Sequence, residues 1–319
     1  MNEQTCVEEM SATRDKIAKL AEIARLYYEQ ERNQSDIAKI FGVSRPLISR
    51  MLKEAKELGV VQIRIDAPVE GGFVLNQARN IFGLRGGVLI PSPVGEGNAN
   101  QEIASRAIDY LKELGGLHIG IGWGTIIGMV VSLLERQTRE KEAYQSVCPL
   151  VGNSSVSNRN YHSNENVRIF SESAGAHPFY LHAPAIAESG QELELIRQLE
   201  NYKTVEDAWR RLDVALVNIG NYPSTPDFAS VARFGDLLSR KKAVGRLLMY
   251  CFDIHGEIIR SDTDYSVQIP TRTLAGCRKV VGICAANVKP QAVLGALRTG
   301  LVHHLVVVED ALKAALELR

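Results

Sequence analysis

The chain has 319 residues, with 37 lysines and arginines against 37 aspartates and glutamates, so its formal net charge is zero. That length favours two domains, and a content of 45% hydrophobic and 23% charged residues fits an ordinary globular protein, excluding a disordered chain or a uniformly basic coat protein. No apolar run reaches the roughly 18 residues of a membrane helix, and Glu3, Glu8 and Glu9 occupy the start, where a signal peptide would be basic and then apolar.

Residues 16–31 carry apolar side chains at 17, 20, 21, 24, 27 and 28, a period that predicts a support helix. Residues 34–59 then read as two short helices about a tight turn, Gln34–Phe41 and 44–58. Ala38 leaves room for a close crossing, and Gly42 supplies the positive φ of the turn. Ile48 and Met51 are expected to be buried, and Ile37, Phe41 and Val43 to cover the junction. Ser44 is placed to cap the second helix through its hydroxyl, and Pro46 falls in the first turn, where its missing N–H costs nothing. The stretch from Arg32 to Arg64 holds seven cations and three anions, a local +4 in a neutral chain. This is the pattern of a helix-turn-helix reader of double-stranded DNA attached to a slightly acidic body. On the second helix, Arg45 and Arg50 are the candidates for base edges, since arginine bonds guanine in bidentate fashion. Ser44, Pro46, Ser49, Lys53 and Lys56 complete the interface, and the hydroxyls and lysines are expected on phosphates.

Residues 60–65 alternate and predict a strand, and Pro68 with the pair Gly71 and Gly72 marks a boundary. The expected domains are therefore 1–66, which binds DNA, and 67–319, which senses and oligomerises. Beyond the boundary, short Val/Ile/Leu-rich runs at 88–91, 117–121, 146–151, 179–182, 214–219, 247–252, 280–285 and 305–308 alternate with helical segments. Those helices are expected at 99–114, 125–139, 164–175, 189–200, 203–211, 228–239, 289–299 and 309–318. Strands of such continuous apolarity are buried on both faces, so the fold class is α/β with a mostly parallel sheet. The five cysteines show no C-x-x-C spacing, which predicts reduced, buried thiols in a cytoplasmic protein, and no histidine pair has metal-ligand spacing. Neither a metal nor another cofactor is expected.

Candidate ligand residues fall at strand ends, where open α/β sheets bind ligands. The segment LHIGIGWGTII (117–127) is a strand followed by a glycine turn, with Gly122, Trp123 and Gly124 leading to Thr125 at a helix start. Backbone N–H groups of such a turn favour an anion; tight packing alone is the alternative. Asn218 and Gly220 end another strand, Asp253 follows a third, and Lys289 opens a helix after a fourth. Each also suits a plain turn or a solvated loop.

In this order and spacing the motifs resemble the SorC family of bacterial sugar-responsive transcriptional regulators, over about residues 18–318. The resemblance rests on Tyr27-Tyr28 and Gln34-Ser35-Asp36-Ile37-Ala38, on Ser44-Arg45 with Ile48-Ser49-Arg50-Met51-Leu52, on Gly120-Ile121-Gly122-Trp123-Gly124-Thr125, on Ala183-Pro184-Ala185, on Phe252-Asp253 with Gly256, and on Lys289 with Ala296-Leu297-Arg298-Thr299-Gly300-Leu301. It implies an effector domain similar in fold to the sugar-phosphate isomerase and glucosamine-phosphate deaminase group, a phosphorylated sugar as effector, and a homo-oligomer, a tetramer or dimer. It also implies that the 122–125 turn and Lys289 hold the phosphate, and that Asp253 and the loops carrying Gly152, Asn153, Asn218 and Gly220 line the sugar. The expected function is a regulator of a carbohydrate-utilisation operon and not an enzyme. The rival is an isomerase- or deaminase-like enzyme fused to a DNA-binding module, which would need a carboxylate base beside the sugar.

Overall fold

The computed structural model describes residues 3–61, 71–91, 96–136, 144–224 and 233–319. The chain divides into two compact units, Met1–Pro68 and Val69–Arg319. Most of the strand predicted at 60–65 lies outside the described residues, as does part of the helix predicted at 228–239. Among the described residues no helix is long and apolar enough to cross a membrane.

The described residues of the first unit form three helices: α1 (Glu3–Tyr28), α2 (Gln34–Phe41) and α3 (Arg45–Glu57). Their apolar stripes meet in a small core of Ile23, Ala24, Ile37, Ala38, Ile48 and Leu52. Asn33 caps α2, its Oδ1 accepting from the N–H groups of Ser35 and Asp36 at 3.0 Å each. Gly42 ends α2 at φ 62°, the left-handed conformation its lack of a Cβ permits. Two expectations need correction. Ser44 occupies the N-cap position of α3, but its hydroxyl makes no capping bond; its carbonyl accepts from Leu47 and Ile48 instead. Met51 is only half-buried, because Leu52 and Ala55 fill the α1-facing stripe.

In the second unit seven strands run in the order β1-β9-β8-β5-β2-β3-β4, with β6 and β7 attached at β5. They are β1 (Gly86–Ile90), β2 (His118–Ile121), β3 (Ser146–Pro149), β4 (His177–Pro178), β5 (Val214–Asn221), β6 (Ala243–Leu247), β7 (Tyr250–Asp253), β8 (Lys279–Cys284) and β9 (His304–Val308). The seven-strand path is parallel throughout. Both faces are buried: along β9, Leu305 and Val307 join one apolar core while Val306 and Val308 join the other.

Two strand predictions change. The run 247–252 is not one strand but the tip of an antiparallel hairpin, Leu247 pairing with Tyr250. Its turn residue Leu248 has φ 53°, a conformation a leucine adopts only when its surroundings impose it. At 179–182 no strand continues, since asparagine side chains take the place of a neighbouring strand. Asn164 Oδ1 accepts from Leu181 N–H, Asn201 Oδ1 accepts from His182 N–H, and Asn153 and Asn164 both donate to Leu181 C=O.

The central strand β5 changes partner along its length. On one flank it pairs with β2 through Leu216, then with β6 from Ile219 onward. Gly122 continues the β2 side for one bond, donating to Leu216 C=O, and then diverges.

His304 opens β9 nearly buried, with its Nδ1 2.8 Å from Tyr110 Oη. Burial first, then the cations His303, Lys279, Arg85 and Arg79, push its pKa down to about 4. The folded value lies below the free value of about 6.5, so the stability that comes with a neutral ring is complete above about 6.5 and lost as pH falls. The melting temperature should drop between about pH 6.5 and about 4, and His304→Asn should flatten that part of the profile while lowering it at neutral pH; thermal melts across the range check this.

Candidate functional site

In the first unit α3 presents a polar face. Arg45, Pro46, Ser49, Arg50, Lys53 and Lys56 are exposed, as is Ser44 just before them. Lys56 Nζ lies 5.6 Å from the centre of the Tyr28 ring, so α1 steadies the far end of that face. Lys16 pairs with Glu54 at 2.5 Å on the flank. Pro46 sits in the first turn of α3 as expected.

In the second unit a cavity of about 510 Å³ opens where β2 leaves β5 and the β6–β7 hairpin joins it. One wall is apolar: Trp123 meets Tyr161 edge to face at 5.6 Å, packed with Val151, Ala185 and Met249. Such a wall suits the C–H faces of a sugar. The charged residues among the described lining groups are Arg233 and Arg246. Arg233 is 4% exposed and pairs with Asp264 at 2.8 Å; it also donates to Met249 C=O at 2.9 Å and so fixes the hairpin tip. Gln268 holds the same tip by accepting from Met249 N–H. Asn218 carries a buried Oδ1 that has no hydrogen-bond partner among the described residues, an acceptor that a bound donor would satisfy.

The structure brings Trp123, Asn153 and Asn218 to this lining, three of the residues singled out from sequence. Their roles differ. Both ends of the Asn153 carboxamide are engaged, with Leu181 C=O and Asn164 N–H. The glycine turn is close-packed: the N–H groups of Gly122 and Gly124 donate to Leu216 and Asn160 carbonyls, and a Cβ on Gly122 would lie 2.8 Å from Leu248 Cδ2. Gly124, at φ 107°, takes a conformation open to glycine. Thr125 is exposed at the start of the helix Thr125–Arg136 and is not part of the lining. Gly152 and Gly220 flank the cavity, Gly220 lying across from Arg246 in the β5–β6 pair. Asp253 lies outside the lining; its Oδ1 accepts from His255 and Glu257 N–H groups in a side-chain-stabilised turn. Lys289 is exposed beyond the cavity, its backbone N–H held by Asn221 Oδ1 at 2.7 Å. The sequence reading missed Arg233, Arg246, Tyr161 and Met249, which stand on separate elements and carry no local motif. The cysteines 148, 251, 277 and 284 are buried and form no disulfide.

Known proteins fit this description. The family model described as "Putative sugar-binding domain" matches residues 74–317. The sorbitol operon regulator of Klebsiella pneumoniae is 30% identical over 308 residues, spanning 92% of this chain and 95% of that one. The chain belongs to the SorC family of transcriptional regulators. The deoxyribonucleoside regulator of Bacillus subtilis (strain 168) is 26% identical over 310 residues, 92% of this chain and 96% of its own. The crystal structure of full-length SorC from Klebsiella pneumoniae superposes with a TM-score of 0.69 at 26% identity, covering 96% of this chain and all of that one. As a SorC-family member the chain is a DNA-binding regulator of a carbohydrate operon.

Proposed function

We propose that the cavity of the second unit holds a small carbohydrate effector, and that its occupancy governs operator binding through α3. The observation that carries this reading is the buried Asn218 Oδ1, without a partner among the described residues and beside an aromatic wall, an acceptor suited to a hydroxyl. Arg45 and Arg50 read base edges in the major groove, and Ser44, Ser49, Lys53 and Lys56 hold phosphates. One α3 carries too few cations for tight binding alone, so a homo-oligomer engages paired half-sites of double-stranded DNA. Where the effector carries a phosphate, Thr125 and Lys289, exposed after β2 and β8, the two strands that flank β5, are its candidate ligands. The described lining contains no carboxylate or imidazole, so a sugar isomerase or deaminase reaction there would have no base of that kind. A coupling of about 1–3 kcal/mol between effector and operator suffices for a 5–150-fold change in affinity.

Electrophoretic mobility shift on candidate promoters tests the reading. Arg50→Ala should relax base preference at one position of each half-site, at a cost of about 1–3 kcal/mol. Lys56→Ala should weaken all sequences alike and lower the salt dependence. Equal losses on every sequence for both variants would refute the division of roles, and absence of salt-sensitive specific binding would refute the function.

A further inference from the structure

The first turn of α3 carries two exposed apolar residues, Pro46 and Leu47, while their neighbour Ile48 is buried. In a helix, residues three and four apart adjoin on the surface. Pro46 therefore adjoins Ser49 and Arg50, and Leu47 adjoins Arg50 and Met51. Two hydrocarbon side chains thus border the arginine assigned to a base edge. They stand at the N-terminal end of the helix, whose residues reach the bases in helix-turn-helix complexes. The Pro46 ring has no rotamer freedom to lose on contact, and covering Leu47 removes apolar surface from water.

The side-chain inventory of α3 says what covers them. Guanine is read by arginine, adenine by the carboxamide of asparagine or glutamine, cytosine by a carboxylate, and thymine by an apolar group on its C5-methyl. The helix Arg45–Glu57 contains no asparagine or glutamine, and its first turn contains no acid. Glu54, further along, is paired with Lys16 at 2.5 Å. Of these four chemistries the exposed start of α3 offers two, guanidinium and hydrocarbon. We propose that Pro46 and Leu47 cover the C5-methyl of a thymine in the base pair next to the guanine that Arg50 reads. The inference rests on reading α3 as the helix that enters the major groove. An A·T pair is then distinguished by hydrocarbon contact on its thymine rather than by a carboxamide on its adenine.

Replacing thymine by deoxyuridine deletes the methyl and keeps every hydrogen-bonding group of the base. The full-length protein selects its operator from a random duplex library, and each thymine of the half-site is then replaced in turn. Mobility shift should show one sensitive position per half-site, next to the guanine identified with Arg50→Ala. Binding there should weaken about fourfold, about 0.8 kcal/mol. The salt dependence should not change, since no phosphate contact is lost. In the variant carrying Pro46→Ser and Leu47→Ser the same replacement should cost nothing. Melting temperatures report whether that variant folds; if it does not, Leu47→Ser alone decides, and its loss should be about twofold or less. Deoxyuridine tolerated at every thymine, a sensitive thymine away from that guanine, or an equal loss in wild type and variant would each overturn the proposal. The last result would trace the effect to the duplex itself. The functional reading fails separately. If a specific operator is bound and deoxyuridine is neutral throughout, the methyl contact falls and the regulator stands. If the selection yields no operator, the regulator reading falls and the methyl contact with it.

Discussion

Arg233→Met is expected to destabilise the second unit by about 3 kcal/mol, from the cost of leaving one partner of a buried ion pair alone. At this domain size that corresponds to a fall of roughly 6–12 °C in melting temperature. The guanidinium is 4% exposed and its partner Asp264 15%, so removing the cation strands a carboxylate largely out of water. It also removes one of the two bonds that pin the hairpin tip, leaving Gln268 alone on Met249. Leu248, held at φ 53°, is then free to relax toward a common conformation. Since Leu248 and Met249 both line the cavity, effector affinity should fall as well. Urea unfolding of Arg233→Met and of Arg233→Met with Asp264→Leu separates the contributions. The double variant should recover much of the stability, because a buried pair replaced by apolar groups is often neutral, yet it should not recover effector binding. Full recovery of both would show that the tip needs no anchor.

Gly152→Ala should disturb the side of the cavity formed by Asn153 and Pro184–Ile186. A Cβ at this position would lie 2.4 Å from Pro184 O, 2.6 Å from Pro184 C and 2.9 Å from Ala183 O. All three are backbone atoms, so no rotamer change relieves the clash. The two segments are also zipped together, Asn153 N–H donating to Ala183 C=O and Ala185 N–H to Asn153 C=O. One methyl must therefore push apart a pair of segments whose residues Asn153, Pro184, Ala185 and Ile186 line the cavity. The stability cost should be about 1–3 kcal/mol, as for overpacking, and effector affinity should fall at least tenfold, about 1.4 kcal/mol. Unfolding and calorimetry on the same variant read the two numbers; an unchanged affinity would mean the segments can separate without disturbing the cavity.

These two positions mark where sequence is informative and where it is not. The α2–α3 pair is legible because each feature is local: a glycine in a left-handed turn, a proline one turn later, apolar residues at helical spacing. The parallel sheet is legible because strands buried on both faces lose their alternation. The hairpin is not, since Leu248 and Met249 carry no turn signature and continue an apolar run; their conformation is imposed by Arg233 and Gln268. Gly152 stands out in the sequence as a ligand residue, yet the space it keeps free is the approach of another segment. Asp253 looks like a sugar ligand because aspartate before glycine suits either role, and here its Oδ1 closes its own turn. Arg233 and Arg246 come from separate segments on either side of a helical stretch, and only the fold brings them to one cavity.

On one flank of β5, β2 lets go at Leu216 and β6 takes hold at Ile219, leaving Val217 and Asn218 between the two. A molecule seated against Asn218 would supply the missing rung of that ladder. It would tie the end of β2 to the start of the hairpin through its own hydroxyls, at the two residues where neither β2 nor β6 pairs with β5. The continuity of the sheet across this gap would then depend on a metabolite's concentration, and the protein would carry, in the middle of its most rigid layer, a joint that stiffens only when the nutrient is present.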